Sequence, residues 1–252
     1  MNSLSELVLR GVGWRALMLT GDPCVSDRWM FVRRHLRSGP CRTLDAGAGN
    51  GGFALMAADR GNEVIGLSFA QEELAIAERR AAVLNSGRIT FRVGDLRQLP
   101  EFSEELGTFD QIICLEVIEH LIEDEQLIRR LAALLRPGGQ LLVSSPSADH
   151  RPLFTERISE TEDGGHVRWG YSPERLAEIL DAAGLTIVEQ GAVSGIVSQK
   201  LTNLMRRAQQ VHRALGWAIV FPLRALQVFD RKLTDATRWP YLCVTAVAIR
   251  GS

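Results

Sequence analysis

The chain has 252 residues, of which 46% are hydrophobic and 23% are charged, and its mean hydropathy is zero. This composition is typical of a soluble globular protein with one large domain or two small ones. With 29 Lys plus Arg against 30 Asp plus Glu, the formal net charge is -1. A near-neutral charge argues against a dedicated nucleic-acid-binding protein.

The sequence shows neither a membrane span nor a signal peptide. Its longest apolar run, near residues 217–223, is far shorter than the roughly 20 residues that a spanning helix needs. Charged residues interrupt the first apolar segment, where a signal peptide would be uniformly apolar. Four cysteines lie far apart without a CxxC pair, which favours free thiols in a reducing compartment. We therefore expect a cytoplasmic protein.

The N-terminal segment predicts two helices. Apolar residues recur at helical spacing over residues 3–19, although Gly11 and Gly13 interrupt the pattern. Residues 20–23 (TGDP) predict a turn, after which Ser26 is expected to cap a second helix through Leu36. We interpret residues 1–40 as a helical cap.

From Arg42 onward, short apolar strands alternate with longer helical patterns. The predicted strands are 41–47, 63–68, 88–95, 109–116, 140–147, 185–190 and 241–250, and the predicted helices are 51–61, 71–87, 124–139 and 172–184. Such alternation predicts right-handed crossovers and a parallel sheet covered by helices on both faces, a doubly wound α/β fold. This domain comprises residues 41–194 and 241–252.

Residues 195–240 form a basic helical insertion ahead of the last strand. Between Lys200 and Arg238 there are eight basic and two acidic residues, a net charge of +6, so the remainder of the chain carries -7. A basic segment in an otherwise acidic protein indicates that this segment has a function of its own. Within it, Pro222 suits the first turn of a new helix.

Three interpretations of the insertion stay open. It packs on the domain as a cap, or it forms a groove for a protein partner. Alternatively, its arginines over residues 200–238 contact anionic lipid at a membrane surface while Trp217, Ile219 and Phe221 enter the acyl boundary. The third interpretation suits a lipidic acceptor molecule.

The first strand ends in the glycine-rich loop LDAGAGNGG. Glycines let the backbone turn tightly and approach a ligand, and the next helix offers its unpaired N–H groups. Gly47, Gly49 and Gly52 match the dinucleotide fingerprint, whereas Gly47, Gly49 and Gly51 match that of a different cofactor class. The loop alone therefore does not select the cofactor.

Two carboxylates at strand ends help to choose the cofactor. Asp45 lies two residues before the first glycine, where it would repel a pyrophosphate and attract an ammonium group. Asp95, in VGD at the end of the third strand, offers an acceptor for the exocyclic amine of adenine. Together they favour a cofactor with both an ammonium and an adenine group.

The motifs LDAGAGNG, VIGLS, VGD, FD, EVIEH and RPGG follow one another in this order. As a set they resemble the class I S-adenosylmethionine-dependent methyltransferases (methyltransferase type 11), with a core similar to that of ubiquinone-pathway O-methyltransferases. The resemblance covers about residues 40–190 and the closing strand. It implies a Rossmann-like doubly wound sheet of seven strands, mostly parallel with an antiparallel last strand, and S-adenosylmethionine as the cofactor.

The resemblance also implies a cofactor site. The methionine end would be held by Asp45 and by the loop residues Gly47, Ala48, Gly49 and Gly51. Asp95 and Leu96 would contact the adenine, and Glu116 would flank the sulfonium. At the ribose position, where the family usually has an acidic residue, this chain has Ser68, and Gln71 could assist it. A lower affinity for the cofactor is the expected consequence.

Methyl transfer from a sulfonium depends mainly on positioning, and a hydroxyl acceptor also benefits from a general base. His120 in EVIEH is the first candidate for this base, the alternative being that it caps a helix or packs. His166, in the loop 146–171 that is expected to cover the acceptor, is the second candidate, against a structural role. No cluster of His, Asp and Glu shows metal-ligand spacing, so we expect no metal.

The sequence thus predicts an enzyme that methylates a small molecule, with oxygen favoured over nitrogen or carbon as the acceptor atom. One alternative is a protein that binds the cofactor without turnover, a scaffold attached to partners through the basic helices. A nicotinamide-dependent dehydrogenase is disfavoured, because Ser68 stands where a ribose-binding acid is expected.

Overall fold

The computed structural model describes residues 3–150 and 158–251, with the side chains of residues 3–5 and 213 excepted. It contains a seven-stranded sheet. The strands are β1 Arg42–Ala46, β2 Glu63–Ser68, β3 Ile89–Val93, β4 Phe109–Leu115, β5 Leu135–Pro146, β6 Leu185–Val193 and β7 Cys243–Arg250.

The strand order is β3-β2-β1-β4-β5-β7-β6. Strands β1 to β5 pair in parallel, whereas β7 runs antiparallel to both β5 and β6. The predicted fold class is therefore confirmed, including the antiparallel last strand. Because the chain moves outward from β1 to β3 and then returns beside β1 as β4, the strand order reverses between β1 and β4. Ligands of such sheets bind at this reversal, outside the carboxyl ends of the strands.

Eleven α-helices flank the sheet within the described part of the chain. They are α1 Ser3–Val12, α2 Arg15–Thr20, α3 Pro23–His35, α4 Gly52–Asp59, α5 Gln71–Val83, α6 Leu99–Leu106, α7 Asp124–Leu134, α8 Pro173–Ala182, α9 Ile196–Val211, α10 Arg213–Leu223 and α11 Asp230–Thr237. Helices cover both faces of the sheet, so its central strands are apolar on both sides.

Two clusters of buried side chains form the core. Leu44 and Ile112 pack with Ile128 of α7 on one face of the sheet. Ile113 packs with Trp29 of α3 on the other face. Burying an aliphatic side chain of this size contributes about 1.5–3 kcal/mol. The core therefore holds the carboxyl ends of β1 and β4 in fixed positions.

The N-terminal helix α3 begins earlier than expected. Asp22 caps it, since its Oδ1 accepts a hydrogen bond of 2.9 Å from the backbone N–H of Val25, and Pro23 occupies the first turn. The prediction that Ser26 is the cap is wrong. Its hydroxyl is buried and donates to the carbonyl of Met18 at 2.9 Å.

The insertion packs against α3. The backbone N–H of Cys24 donates to Thr202 Oγ1 at 3.3 Å, and Asp230 accepts hydrogen bonds of 2.7 Å from the backbone N–H groups of Gly195 and Val197 at the start of α9. The prediction for Pro222 is wrong, because it lies near the end of α10 rather than in the first turn of a helix.

Only part of the apolar side of the insertion is covered. Leu201 and Met205 of α9 bury Val220 of α10, whereas Leu204, Val211 and Leu215 stay exposed. Trp217 is half-buried, stacks on Phe221 and donates to the carbonyl of Thr20 at 3.3 Å. Arg224 donates to the carbonyls of Leu19 and Gly21, at 2.6 and 3.0 Å, so it faces the domain and not solvent. In the described residues, every helix is too short or too polar to cross a bilayer.

Candidate active site

The loop after β1 needs glycine at two positions for steric reasons. Gly47 has a φ of +93°, and a Cβ there would lie 2.4 Å from Val117 Cγ2. Gly51 has a φ of +80°, and its Cβ would lie 2.6 Å from the Cβ of Ala77. Gly49 also has a positive φ, but a Cβ at this position would meet only the flexible Glu73 side chain, at 3.1 Å. The bend is therefore fixed by Gly47 and Gly51, and Gly49 faces open space.

This open space is a cleft at the carboxyl ends of β1 to β4, with a volume of about 370 Å³. It is large enough for a small-molecule ligand. Most of the predicted site residues line it: Gly47, Gly49, Ser68, Asp95, Leu96, Glu116 and His120. The structure thus brings the strand-end motifs together at one place.

Asp45 lies beneath the loop and does not line the cleft. It is 2% exposed, and its Oδ2 has no hydrogen-bond partner. Burial raises the pKa of Asp45 to about 7, although a hydrogen bond from the backbone of Ala54 opposes this. A cation placed above the loop would offset the cost of ionising this carboxyl.

Four other predicted residues, Ala48, Gly51, Gln71 and His166, also lie outside the lining of the cleft. Ala48 is buried inside the loop, where its N–H donates to the carbonyl of Leu67 at 2.8 Å and its own carbonyl accepts from Gly51. Gln71 is exposed at the start of α5. The roles of Ala48, Gly51 and Gln71 in cofactor binding stay predictions.

Two further lining residues come from the neighbouring strands β2 and β3. Ser68 is the last residue of β2, and Asp95 follows β3. The Ser68 hydroxyl accepts from the N–H of Ala70 at 3.2 Å, so its proton is free to be donated into the cleft. Asp95 is engaged by Arg97, whose Nε lies 2.8 Å from Asp95 Oδ2, and this hydrogen bonding lowers the pKa of Asp95. An adenine amine would therefore share this carboxylate with Arg97.

Glu116 is held in a strained conformation directly after β4. Its φ is +54°, a left-handed value that typically costs about 1–3 kcal/mol in a residue other than glycine. Its Oε1 accepts from the Ser144 hydroxyl at 2.8 Å, and its Oε2 lies 3.3 Å from Arg28 Nη1. Burial alone would lower the pKa of Arg28, but the negative charge of Glu116 outweighs it and raises that pKa. The Glu116 carboxylate is thus fixed at the cleft by a cation below it.

The two predicted base candidates lie side by side. The rings of His120 and His166 meet edge to face, with centroids 4.7 Å apart. His120 Nδ1 lies 3.0 Å from the carbonyl of Gly165. Because a carbonyl only accepts, Nδ1 carries the proton and Nε2 carries the lone pair in neutral His120.

Glu119 is buried beside these histidines. It is 0% exposed, and its Oε2 accepts from the Ser145 hydroxyl at 3.0 Å. Burial and the negative charge of Glu116 raise the pKa of Glu119 well above its ordinary value. Glu119 thus lies beside His120 at the edge of the site, whereas its position in the sequence favoured a structural role.

Among the described residues, the structure brings together one group of potential metal ligands that no sequence spacing indicated, and the expectation of no metal stays a prediction. Ligand atoms of Glu119, His120 and His166 all lie within 4.8 Å of one another. The sequence could not predict this group, because His166 comes from a distant loop and no regular spacing relates it to Glu119 and His120.

Hydrogen bonds and an ion pair fix the loop that carries His166 beside the cleft. Glu162 accepts from the N–H of Ile122 at 2.6 Å and pairs with Arg97 at 3.3 Å. The backbone N–H of Val167 donates to the carbonyl of Glu119 at 2.9 Å. Residues 162–164 therefore form part of the cleft wall, as we expected for a loop at this edge of the sheet. Residues 151–157, in the same predicted segment, lie outside the described part of the chain.

Tyr171 does not form a wall of the cleft. It is 2% exposed, and its hydroxyl donates to Asp124 Oδ2 at 2.6 Å, so it belongs to the core. Trp169 is 44% exposed and lies near His150, with ring centroids 6.4 Å apart. Neither Trp169 nor His150 lines the cleft.

Sequence reasoning missed several residues of the site: Arg28, Phe69, Glu73, Val117 and Glu162. Phe69 and Val117 directly follow strand-end residues that we did predict, so their position after β2 and β4 was a usable signal. No comparable signal marks Arg28, which reaches Glu116 from a helix of the N-terminal segment.

Comparison with known proteins gives three findings. A family model described as "Methyltransferase domain" matches residues 38–209. The chain is similar to a protein named ubiquinone biosynthesis O-methyltransferase from Xanthomonas axonopodis pv. citri (strain 306), with 31% identity over 187 residues, 71% of this chain and 75% of that protein.

Solved structures share the fold. Magnesium protoporphyrin IX methyltransferase from Synechocystis PCC 6803, with bound SAM, has a TM-score of 0.54 and 18% identity, covering 100% of this chain and 86% of the other. The cyclase SpnF has a TM-score of 0.61 and 23% identity, covering 94% and 81%. At these identities the likeness shows a shared fold only. The reaction therefore has to be inferred from the residues of the site.

Proposed function

Because the chain belongs to the S-adenosylmethionine-dependent methyltransferases of the class I fold, we propose that it methylates a hydroxyl oxygen of a lipidic small molecule. The chain is an enzyme that uses S-adenosylmethionine and acts on a small-molecule acceptor. The choice of oxygen is supported by the imidazoles beside the cleft and by the O-methyltransferase names of its relatives. The single observation that carries it is the position of His120 in the cleft wall, with its Nδ1 3.0 Å from the carbonyl of Gly165, which leaves Nε2 as the basic nitrogen.

The glycine loop fits the methionine end of the cofactor. Gly49 leaves room for a ligand, and the buried Oδ2 of Asp45 lacks the positive partner that an ammonium group would supply. Ser68 offers one hydroxyl to the ribose, and Leu96 offers an apolar surface to the adenine. Bound S-adenosylmethionine supplies an electrophilic methyl group, so the residues of the chain need only position the acceptor and remove its proton.

His120 is suited to take the acceptor's proton. The hydrogen bond from Nδ1 to Gly165 orients the ring and leaves Nε2 as the basic nitrogen. His166 packs edge to face against it and is the second candidate. A general base of this kind typically contributes 10²–10⁴-fold to the rate.

The lipidic nature of the acceptor is supported by the surface of the insertion. Ile219, Phe221, Val228 and Phe229 are 37–77% exposed along α10 and the segment that follows it. Exposed basic residues of the insertion, such as Lys232, lie close to them in the chain. Apolar side chains beside basic ones are typical of helices that lie on anionic membranes, where a lipidic acceptor is found.

The experiment is a methyl-transfer assay with S-adenosylmethionine labelled on the methyl group. The acceptors would be paired phenols, thiols and amines, each with and without an alkyl tail. We expect the labelled methyl group to be transferred to the phenols that carry an alkyl tail and to be found there as a methyl ether. Turnover only with amines, or binding of S-adenosylhomocysteine without turnover on any acceptor, would contradict the proposal.

A further inference from the structure

We infer that Arg97 and Glu162 are positioning residues for methyl transfer, because their ion pair fixes one wall of the cleft over the cofactor. We call these two residues the Arg97–Glu162 bridge. Arg97 follows β3, and Glu162 belongs to the loop after β5, whose residues 162–164 form part of the cleft wall. The inference rests on the cofactor site of the proposed function and holds for any acceptor atom.

The guanidinium of Arg97 binds two carboxylates at once. Its Nε lies 2.8 Å from Asp95 Oδ2, and its Nη1 lies 3.3 Å from Glu162 Oε2. The backbone of Arg97 is fixed as well, since its N–H donates to Asp95 Oδ1 at 2.9 Å and its carbonyl accepts from Arg130 Nη1 at 2.9 Å. A planar guanidinium has donors on separate edges, so it can join two anions in a fixed geometry, which the ammonium group of lysine cannot.

Glu162 uses its two carboxylate oxygens on different sides of the cleft. Oε2 faces Arg97 after β3, whereas Oε1 accepts from the N–H of Ile122, after β4, at 2.6 Å. In the sheet, β2 and β1 lie between β3 and β4, and their ends carry Ser68 and the glycine loop. The Glu162 side chain is only 19% exposed, so salt and water screen its contacts little. Glu162 thus connects two edges of the cleft across the proposed cofactor site.

The C-terminal part of the loop is attached independently of the bridge. Arg168 Nη2 donates to the carbonyl of Leu121 at 2.8 Å, and the N–H of Val167 donates to the carbonyl of Glu119 at 2.9 Å. Both of these carbonyls lie in the turn after β4. Loss of the bridge should therefore release residues 162–164 from the end of β3 while the loop stays attached to the turn after β4.

The cofactor and the bridge share the carboxylate of Asp95. A carboxylate has about four lone-pair positions, so Asp95 can accept from an adenine amine and from Arg97 together. The hydrogen bonds from Arg97 lower the pKa of Asp95, which keeps this acceptor ionised. The bound nucleoside then lies between Asp95 and the wall that the bridge holds, and this enclosure slows its release. Because a misplacement of about 1 Å can cost ~10²-fold in rate, the wall also contributes to the alignment of the methyl group.

The test measures how fast radiolabelled S-adenosylhomocysteine leaves the full-length protein during a chase with unlabelled ligand. Glu162→Gln leaves one acceptor oxygen in place of two, so it keeps only one of the two contacts. We expect release at least ~10-fold faster than from the wild type, since the loss of one partner of a partly buried ion pair acts mainly on the dissociation rate. Glu160→Gln is the matched control, because Glu160 is exposed in the same loop, and it should release the ligand at the wild-type rate.

Arg97→Lys separates a bridge from a simple positive charge. Lysine keeps the charge but cannot hold both carboxylates, so Arg97→Lys should release the ligand as fast as Arg97→Met. Hydrogen exchange followed by NMR gives a readout besides activity. The amide of Ile122, which donates to Glu162, should exchange at least ~10-fold faster in Arg97→Met, whereas the amide of Val167 should exchange at the wild-type rate.

Urea unfolding shows whether each variant is folded. Equal release rates in the wild type and a folded Glu162→Gln would overturn the inference, and so would wild-type release by Arg97→Lys or unchanged exchange at Ile122. These outcomes leave the proposed function in place, because transfer of the labelled methyl group to phenols is measured separately on the wild type. If both bridge variants release the ligand faster but the wild type methylates no hydroxyl acceptor, the proposed function fails and the bridge stands.

Discussion

Arg28 Nη1 lies 3.3 Å from Glu116 Oε2, although 88 residues separate the two in the chain. Both side chains are largely buried, with 16% and 25% exposed. The pair links the N-terminal helix α3 to the strained turn after β4. Through it, a residue of the N-terminal segment fixes Glu116, which lines the cleft.

Arg28→Met should weaken cofactor binding. The variant leaves the Glu116 carboxylate without its cation, and the loss of one partner from a partly buried pair costs about 1–3 kcal/mol. We expect the affinity for S-adenosylhomocysteine to fall at least ~10-fold by calorimetry. Arg33→Met on the exposed side of the same helix is the control and should bind normally. Equal affinity in both variants would show that Glu116 needs no partner.

Gly49→Ala should abolish binding without unfolding the protein. A Cβ there meets only the flexible end of Glu73, so the fold survives, but the methyl group enters the cleft. Gly184→Ala is the matched control, because Gly184 also has a positive φ and has open space around it, away from the cleft. Both variants should lose about 1 kcal/mol of stability to the left-handed conformation.

Titration with S-adenosylhomocysteine would compare these two glycine variants. Only Gly49→Ala should fail to bind. Normal binding by Gly49→Ala would remove this loop from the cofactor site.

Asp45→Asn should alter the dependence of stability on pH. The pKa of Asp45 is about 7 in the folded protein, above its ordinary value of 3.8. The folded state therefore gains from the protonated form, and this gain is lost as the pH rises from about 4 to about 7. The loss is on the order of 4 kcal/mol over this range, of which about 3 kcal/mol falls between pH 5 and pH 8. Urea unfolding at pH 5 and pH 8 should show it in the wild type and not in Asp45→Asn.

The same carboxyl should couple cofactor binding to pH. If an ammonium group lies above Asp45, it favours the ionised form, so the affinity for S-adenosylhomocysteine rises as the pH increases toward 7. In Asp45→Asn, the affinity should be lower and should lose this part of its pH dependence. Parallel pH profiles in the two proteins would place the ammonium elsewhere.

The exposed apolar residues of the insertion should bind membranes. Val228 and Phe229 are 77% and 54% exposed, and the double change Val228→Ser with Phe229→Ser removes apolar area without touching the core. We expect the wild type to float with vesicles rich in anionic lipid and the variant to float much less. Val188→Ser, at an equally exposed position on β6, is the control. Failure of the wild type to float would favour the interpretation of the insertion as a packed cap.

His166→Ala should lower turnover more than it lowers cofactor affinity. His166 contacts His120 at the proposed acceptor end, so its loss should affect proton removal from the acceptor. We expect kcat to fall about 10²-fold or more. Single-turnover kinetics with saturating cofactor would measure it. Unchanged kcat would assign His166 a purely structural role.

Much of the fold could be predicted from local patterns. Short apolar runs with a small or acidic residue at the end predict β1 to β4, and the positive φ of Gly47 and Gly51 accounts for the glycines of the loop. The strand patterns and the glycines are visible in the sequence, although the steric limits themselves come from the distant residues Val117 and Ala77. The strand-end residues Asp95 and Glu116 then meet because parallel strands end at one edge.

The remaining features depend on contacts between distant segments. Asp22 and Ser26 are both good cap residues, and the choice between them is made by Pro23 and by the burial of Ser26 against the preceding segment. The approach of Arg28 to Glu116 depends on how α3 packs on the sheet. The meeting of His166 with Glu119 depends on the path of a long loop. The hydrophobic periodicity of the sequence predicts neither the contact of Arg28 with Glu116 nor the contact of His166 with Glu119.

A crystal structure of the complex with S-adenosylhomocysteine tests the central claim most directly. We expect one molecule in the cleft, with its amino group over the loop of Gly47 and Gly49, its adenine against Leu96, and its sulfur facing His120. A molecule bound elsewhere, or bound with its sulfur turned away from His120 and His166, would contradict the assignment of this cleft as the methyl-transfer site.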